Sequence, residues 1–316
     1  MKRIVLFALA LLLLPLFGCG TETPHSATGY ACDTVVTITA YAPQETVDAA
    51  LSICSDYEKV LSKTIEGCDV WRLNHANGEP VPVDPETAAL LSFAVEIGSL
   101  SDGAFDVTIA PASALWDFRA DDPVLPDPDA LRAACERVDY RNIVIDGNTV
   151  TLLNGAEIDL GGVAKGYIAD RVAAYFQAKG VASACINMGG NVVTIGTKPN
   201  GDPWTVGIRD PKGAPDESEE VLSIADGAVV TSGTYERGFT LDGVRYHHIL
   251  DPKTGMPVSN GLASVTVVGV RSDLCDALST ACFVLGEEAS KPLLDRYGVR
   301  AVFLYEDGSR GAYPES

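Results

Sequence analysis

The sequence predicts an α+β fold built as one mixed α/β domain, and three observations lead to this prediction. Strand-like and helix-like segments are mixed along the chain without a regular βαβ alternation, which argues against a parallel α/β sheet. Hydrophobic residues make up 47% of the 316 residues and charged residues 21%, a composition that can bury a core and excludes bulk disorder. No internal repeat divides the chain.

The first eighteen residues form a segment with a composition of its own. Lys2 and Arg3 precede an apolar run from Ile4 to Phe17. This run is too short to span a bilayer comfortably, because roughly 20 residues are needed for that. A basic start before such a run is typical of a signal peptide. The segment ends in Leu16-Phe17-Gly18-Cys19, which resembles a bacterial lipobox.

The lipobox resemblance implies cleavage before Cys19 and diacylation of its thiol, and two acyl chains are what stable anchoring requires. The alternative is an ordinary secreted protein with an incidental cysteine. We therefore predict a lipoprotein signal peptide over residues 1–18, a lipidated cysteine with a polar tether over 19–29, and a single domain over 30–316. The expected location is the extracytoplasmic face of the cell membrane.

The elements of the domain follow from local patterns. Alternating β-branched residues predict strands, and apolar residues at helical spacing predict helices. Asp84 is a good helix cap, Pro85 suits the first helical position, and Gly180 suits a helix end. The expected elements are, in order, a strand over 34–41, helices over about 45–62, 85–100 and 129–138, a hairpin over 142–153, a helix over 167–179, strands over 184–188, 192–195, 204–209, 227–232 and 261–270, a helix over 273–285, and a last helix and a strand over 299–305.

The formal net charge of −20 restricts the possible partners. An acidic chain repels phosphate backbones, so we do not expect it to bind nucleic acid. An anionic cofactor requires local positive charge or a cation at its site. The cysteines other than Cys19 are scattered without a CxxC pair, so neither a disulfide framework nor a zinc site is predicted.

Four segments carry candidate chemistry, and the first is a glycine-rich turn, Asp159-Leu160-Gly161-Gly162-Val163-Ala164-Lys165-Gly166. Glycines let a ligand approach the backbone closely, and the N-terminus of the following helix directs free N–H groups outward. Lys165 adds a full positive charge. The combination suits a phosphate or pyrophosphate, although the spacing is neither that of a Walker A loop nor GxGxxG. The alternative is a purely structural turn.

The second segment is the predicted helix from Asp273 to Gly286. Asp276 and Thr280 are four residues apart, so they share one helix face. A carboxylate on such an apolar helix needs a partner. An oxygen pair of this kind fits Mg²⁺, but a core aspartate bonded to Thr280 or to the backbone fits the segment equally well.

The third segment runs from Tyr246 to Pro257 and places His247 and His248 on a strand before a turn. Histidine is the side chain best suited to proton transfer near neutral pH. Because strand side chains alternate between faces, only one of the two can face a site. A structural role for a strand histidine is the alternative.

The fourth segment, Gly103 to Thr108, is interpreted as a loop that leads into a short strand. Asp106 and Thr108 would then point the same way along that strand. The alternative is a capped turn with aromatic residues in the core.

Taken together and in this order, the four segments resemble the ApbE family, the FAD:protein FMN transferases. The resemblance covers nearly the whole chain after the leader, and the ordered set is far more specific than any single segment. Many members are lipoproteins, in agreement with the lipobox. The matching segments are 60–62, 69–74, 103–108, 115–116, 159–167 with Asp170, 187–190, 204–211, 231–233 with Tyr235 and Arg237, 248–257, and 276–286.

The resemblance implies an ApbE-like domain, related to the T-fold, and a Mg²⁺-dependent reaction. In that reaction FAD is cleaved, FMN is attached through a phosphoester bond to a Thr of a partner flavoprotein, and AMP leaves. By family analogy the acceptors are respiratory or electron-transfer subunits. Two alternatives stay open, an FAD pyrophosphatase that gives FMN and AMP, and a non-catalytic FAD-binding lipoprotein.

The resemblance also assigns site residues at the matching positions. The metal ligands are Asp276, Thr280 and the backbone carbonyl of Ala164. The catalytic residues are Asp276 and, as our candidate base for the acceptor hydroxyl, His248. The flavin site is lined by Ala104, Phe105, Asp106, Thr108, Gly161, Lys165, Tyr167, His248 and Leu250.

Four departures from the family pattern lie near the expected flavin or adenine side. Asp33 belongs to Cys32-Asp33-Thr34, where many members have Met-Gly-Thr, and Asp117-Phe118-Arg119 replaces the usual Gly-Phe-Gly. Cys68 replaces a common Ser, and Thr234 stands where Asp or another polar residue is frequent. The segments Asp159–Gly162 and Asp276–Thr280 are intact, which favours retained catalysis.

Overall fold

The computed structural model describes residues 23–214 and 217–314. The predicted leader and Cys19 lie outside these residues, so the lipid anchor stays a prediction. The helices are α1 (Gln44–Leu61), α2 (Asp69–Asn74), α3 (Pro85–Leu100), α4 (Ala110–Ser113), α5 (Pro128–Cys135), α6 (Ala164–Ala178), α7 (Ser272–Leu285) and α8 (Glu287–Tyr297). None of the helices in the described ranges is both long and apolar enough to cross a bilayer.

The strands are β1 (His25–Ala31), β2 (Thr34–Ala40), β3 (Val81–Pro82), β4 (Ile143–Asp146), β5 (Thr149–Leu152), β6 (Ala184–Met188), β7 (Asn191–Ile195), β8 (Trp204–Arg209), β9 (Ser218–Ile224), β10 (Gly227–Gly233), β11 (Gly238–Leu241), β12 (Val244–His247), β13 (Leu262–Gly269), β14 (Arg300–Tyr305) and β15 (Arg310–Tyr313). Eight of them form the main sheet, in the order β1-β2-β6-β7-β10-β13-β14-β15. Every pairing between these strands is antiparallel, which confirms the α+β class.

The main sheet is covered differently on its two faces. Helices α1, α6 and α7 pack on one face, where the core includes the fully buried rings of Phe176, Phe283 and Phe303. The β8–β9 ribbon covers part of the other face, with Ile208 packed in a cluster with Val229. The helical face therefore holds the larger core, and the elements that build the candidate site belong to it.

A third apolar cluster lies beside this core and joins α4, α5 and the β11–β12 hairpin. It contains Trp116, Leu131, Phe239 and Leu250. The Trp116 indole donates to the Gly255 carbonyl at 2.9 Å, so the turn after the histidine segment is fixed to the aromatic cluster.

The N-terminal boundary of the folded part differs from the prediction. The tether was placed over 19–29, but residues 25–29 belong to β1, which pairs with β2 along its whole length. β1 is an edge strand with one exposed face, so its sequence is polar and lacks the apolar alternation that marks buried strands. The part of the tether that precedes the fold is therefore shorter than predicted.

Two local predictions near the site are also corrected. Helix α6 begins at Ala164 and not at Tyr167, so Lys165 and Gly166 belong to its first turn. Residues 103–108 form consecutive turns and no strand, because Asp106 bonds locally to Thr108. The helix start at Pro85 is confirmed, with the Asp84 carboxylate accepting from the Glu86 amide.

Candidate functional site

The centre of the site is the place where the first turn of α6 crosses α7. The Asp276 carboxylate is buried, and its Oδ2 accepts from the Gly166 amide at 2.9 Å. A Cβ on Gly166 would lie 2.3 Å from the Ser272 carbonyl oxygen and 2.7 Å from the Asp276 Cβ. Glycine is therefore required here by helix contact and not by backbone conformation. We call this crossing, with Lys165, Gly166, Asp276 and Thr280, the junction.

The second carboxylate oxygen of Asp276 faces the Lys165 ammonium. Among the described residues its Oδ1 accepts no hydrogen bond, and the Lys165 Nζ lies 3.7 Å away. Thr280 is one helical turn further along α7, and its hydroxyl lies 3.2 Å from the Ser232 hydroxyl. Ser232 is bonded in turn to Ser279 at 2.8 Å, which holds β10 against α7.

The donor set at the junction fits Mg²⁺. A free carboxylate oxygen, the Thr280 hydroxyl and the Ala164 carbonyl are hard oxygen donors, and Mg²⁺ is bound by one or two carboxylates together with water and ligand phosphates. Because Ala164 opens α6, its carbonyl belongs to the first helical turn and keeps a second lone pair. The described residues contain no cluster of three or more His, Cys, Asp and Glu side chains that could hold a metal ion, so water and ligand phosphates would have to complete the coordination.

The glycine-rich turn is held in shape by its own acid. The Asp159 carboxylate accepts from the Gly161 amide at 2.9 Å and from the Lys63 ammonium at 2.6 Å. Burial raises the pKa of Asp159, but Lys63 outweighs it, and the pKa is lowered overall. The carboxylate is therefore ionised and pins the loop after α1 to the turn.

Positive charge gathers where this turn enters α6. The Lys165 ammonium donates to the Gly161 carbonyl at 3.1 Å, across the first helical turn. The N-terminus of α6 adds the partial positive charge of a helix end. Gly162 lies against Phe105 and Thr280, since a Cβ there would be 3.1 Å from the Phe105 ring and 3.5 Å from the Thr280 hydroxyl. The glycine-rich turn, α7 at Thr280 and Phe105 are thus in direct contact at Gly162.

The two histidines divide as the alternation predicts. His247 is buried, donates through Nε2 to the Val258 carbonyl at 3.0 Å and accepts from the Ile249 amide at 3.3 Å, which uses both ring nitrogens in the fold. His248 follows the end of β12 and is half-buried. Its Nδ1 donates to the Arg237 carbonyl at 3.4 Å, which places the proton on Nδ1 and leaves the Nε2 lone pair free.

The electrostatic surroundings of His248 favour the neutral ring. Burial and the positive charge of Arg237 lower the pKa of His248 to about 4, with Lys165 and His247 acting in the same direction. At neutral pH the side chain is therefore a proton acceptor.

The segment from Gly103 to Thr108 is fixed by internal bonds. Asp106 accepts from the Thr108 amide at 2.8 Å, from the Thr108 hydroxyl at 2.6 Å and from the Tyr140 amide at 2.8 Å. The Thr108 hydroxyl accepts from the Asp139 amide at 2.8 Å. Ala104 and Phe105 are buried beside these bonds. The polar atoms of Asp106 and Thr108 hold the segment in place, and their contact with a flavin stays a prediction.

Two predicted flavin residues pack against apolar and aromatic neighbours. The Tyr167 ring meets the Tyr57 ring edge-on at 5.9 Å, and the Arg171 guanidinium lies 5.0 Å from its centre. Tyr167 is thus part of the packing between α1 and α6. Leu250 is buried in the aromatic cluster around Trp116. The contact of these two residues with a flavin stays a prediction.

Sequence reasoning did not assign three polar residues that the structure adds to the site. Ser232 forms a hydrogen bond with Thr280, and Lys63 donates to the Asp159 carboxylate. The Arg237 carbonyl accepts from the His248 Nδ1. Ser232 and Arg237 belong to segments that match the family pattern, which is the signal that could have selected them. Lys63 follows such a segment directly, but nothing in its local pattern indicates a partner 96 positions later.

Known proteins resemble this chain along most of its length. The ApbE family model matches residues 32–303. The FAD:protein FMN transferase of Treponema pallidum (strain Nichols) is 40% identical over 288 residues, which cover 84% of this chain and 79% of the relative. The FAD:protein FMN transferase of Klebsiella pneumoniae (strain 342) is 38% identical over 253 residues, 78% of each chain.

Solved structures share this fold over more than nine-tenths of the chain. The crystal structure of the ApbE protein of Thermotoga maritima has a TM-score of 0.85 at 34% identity and covers 92% of this chain and 96% of its own. The apo form of the flavinyl transferase ApbE of Pseudomonas stutzeri has a TM-score of 0.83 at 28% identity, with 94% and 96% covered. The predicted resemblance is thereby confirmed, and the chain belongs to the ApbE family.

Proposed function

We propose that the protein cleaves FAD and transfers its FMN moiety to a Thr hydroxyl of a partner flavoprotein, with release of AMP. The observation that carries the proposal is the junction, where a buried carboxylate with one free oxygen lies beside Lys165 and the N-terminus of α6. A pyrophosphate needs positive charge that the acidic chain as a whole does not supply. The relatives named above are FAD:protein FMN transferases by name, which supports FMN transfer from FAD to a protein.

The proposed reaction is a displacement at phosphorus. The acceptor oxygen forms a bond to the phosphorus of the FMN half, and the bond from that phosphorus to the bridging oxygen breaks, so that AMP leaves with that oxygen. Negative charge builds up on the phosphoryl oxygens, where Lys165 and the partial positive charge of the α6 N-terminus stabilise it. The nucleophile comes from the acceptor, so the chain needs no nucleophilic Ser or Cys of its own.

His248 is the proposed base for the acceptor hydroxyl. Its Nε2 lone pair takes the hydroxyl proton as the phosphoester bond forms, while Nδ1 stays bonded to the Arg237 carbonyl. The pKa of about 4 keeps the ring neutral at physiological pH, so the lone pair is available, at the cost of basicity, because a general base works best with a pKa near the working pH.

Mg²⁺ is the proposed cofactor, held by Asp276, Thr280 and the Ala164 carbonyl. When bound there, it would supply Lewis-acid stabilisation of phosphoryl oxygens. The residues of the chain prepare this position, because the Gly166 amide fixes one oxygen of Asp276 and leaves the other free.

We further propose that the enzyme acts at the extracytoplasmic face of the membrane, anchored through Cys19. The support is the sequence alone, namely the basic and apolar leader and the lipobox-like ending at Cys19. Incorporation of a fatty-acid analogue into the exported protein tests the anchor. A protein that is exported but unlabelled would contradict it.

One assay separates the proposed transferase from the two alternatives. The protein is incubated with FAD, Mg²⁺ and an acceptor domain that carries a short Gly/Ser/Thr-rich segment ending in the target Thr, and both AMP and in-gel flavin fluorescence are measured. A transferase gives AMP together with a fluorescent acceptor. AMP without a fluorescent acceptor would indicate a pyrophosphatase, and FAD binding without AMP a carrier protein.

A further inference from the structure

A cluster of charged side chains that the proposed mechanism does not use lies next to His248. The Asp33 carboxylate receives the Arg119 guanidinium at 2.5 Å and the Arg237 guanidinium at 3.0 Å, both on Oδ2. Its Oδ1 accepts from the Tyr30 hydroxyl at 2.7 Å. We call Asp33, Arg119 and Arg237 the mouth cluster.

The mouth cluster joins three segments that are far apart in the sequence. Asp33 lies in the turn between β1 and β2, Arg119 in the loop before α5, and Arg237 immediately before β11. Asp33 adopts φ 62° and Cys32 φ 52°, a left-handed turn that aims the carboxylate at the two guanidinium groups. Asp33 and Arg119 are also two of the positions where the sequence departs from the family pattern.

Arg237 connects this cluster to the proposed base. Its guanidinium is bound by Asp33, and its main-chain carbonyl accepts from both the amide (3.3 Å) and the Nδ1 (3.4 Å) of His248. Arg237 is thus restrained by Asp33 through its side chain, and it restrains the His248 imidazole through its main-chain carbonyl. Both bonds to His248 share this one acceptor, so the position of the ring follows that of the Arg237 backbone.

We propose that Asp33 is a positioning residue for His248, which it holds in place through Arg237, with Arg119 as the second support. The inference rests on the proposed function, because it gives His248 a reaction to serve. Partial burial raises the pKa of Asp33, but the bonds from Arg119 and Tyr30 outweigh it, so the pKa is lowered and the carboxylate stays charged.

The three side chains are 40–59% exposed, so an isolated pair of this kind would contribute little to stability. Two guanidinium groups on one carboxylate oxygen form a network, however, and removal of the carboxylate leaves two like charges facing each other. The expected consequence is a displaced Arg237 backbone and not an unfolded protein.

The test uses Asp33→Asn in the full-length protein in detergent. Asparagine tolerates the left-handed backbone as well as aspartate does, so the substitution removes the charge without straining the turn. Asp129→Asn is the matched control, because Asp129 forms an exposed ion pair with Arg132 away from the site. Transfer rate, FAD affinity and the imidazole NMR signals are measured for each variant, with the His248 signal assigned by its loss in His248→Gln.

We expect Asp33→Asn to lower the transfer rate about tenfold with FAD affinity changed less than about twofold, because a small displacement of a reacting group is costly. In the His248→Gln background the same substitution should change the rate less than about twofold, since residues that act through one group are not additive. The chemical shift of the His248 imidazole should change in Asp33→Asn and should remain that of the wild type in Asp129→Asn.

Two results would overturn the inference. One is an unchanged His248 signal in Asp33→Asn, and the other is tighter FAD binding, which would mean that Asp33 withholds Arg237 from the pyrophosphate. If the wild-type protein transfers no flavin, the proposed function fails, while the NMR arm still tests whether Asp33 positions His248.

Discussion

The junction and the mouth cluster are built in different ways. At the junction, Asp276 is buried and fixed by a backbone amide from a neighbouring helix, and the helices approach so closely that only glycine fits at position 166. At the mouth, half-exposed charged side chains on three loops hold one another. The comparison teaches that the group proposed to bind the metal is held by packing, whereas the proposed base depends on loop electrostatics.

Removal of the junction carboxylate should have the largest effect. We expect Asp276→Ala to lower Mg²⁺-dependent flavin transfer by roughly 100-fold or more, because a few kcal/mol of charge stabilisation at phosphorus is lost. In-gel flavin fluorescence of the acceptor measures this. Full activity of the variant with Mg²⁺ would refute the metal assignment.

Loss of the proposed base should be severe for transfer but mild for binding. We expect His248→Ala to lower the transfer rate by about 100-fold, the lower range for a general base, and FAD affinity by less than about threefold. His247→Ala is not a suitable control, since His247 is bonded into the fold. A variant with the normal transfer rate would show that another group takes the proton.

The packing of the junction can be tested through stability. Gly166→Ala should lower the free energy of unfolding by about 1–3 kcal/mol, because the added methyl group meets the Ser272 carbonyl and the two helices must separate. Urea denaturation measures this. Gln177→Ala on the exposed side of α6 serves as the control, with an expected change within about 0.5 kcal/mol. Equal changes in the two variants would mean that the crossing is looser than described.

The smallest expected effect concerns the mouth cluster, and it is a change in the pH dependence of the transfer rate. His248 must be neutral to accept a proton, and Arg237, Lys165 and His247 all lower its pKa beyond the effect of burial. The transfer rate should therefore stay high below pH 6.5 and fall only as the pH approaches about 4. Arg237→Gln removes one positive charge, so the acid limb should move to higher pH, whereas Arg132→Gln should leave it in place. If the acid limb stays in place in Arg237→Gln, the Arg237 charge does not control the pKa of His248.

The difference between the junction and the mouth cluster also explains what the sequence could reveal. Asp276 and Thr280 are four residues apart on one helix, and Gly161 to Gly166 are contiguous, so local spacing made them candidates, and the family resemblance then assigned their roles. Lys63 with Asp159 and Asp33 with Arg119 are pairs between distant segments, and no local pattern indicates such partners.

The errors in the fold have a similar origin. Strand β1 was assigned to the tether because an exposed edge strand needs few apolar residues. Residues 103–108 were expected to end in a strand because Asp106 and Thr108 alternate, but the Asp106 side chain bonds to its own neighbour and holds a turn instead. In both cases contacts that a single sequence does not display decided the local structure.

The most direct test of a metal-dependent site at the junction is the Mg²⁺ requirement of two substitutions at one position. Thr280→Ser keeps the hydroxyl, whereas Thr280→Val keeps the shape and removes the oxygen. We predict that Thr280→Val raises the Mg²⁺ concentration for half-maximal transfer by about tenfold or more, while Thr280→Ser stays within about threefold of wild type. If Thr280→Val and Thr280→Ser need the same Mg²⁺ concentration for half-maximal transfer, the assignment of Thr280 is contradicted, and with it the metal site at the crossing of α6 and α7.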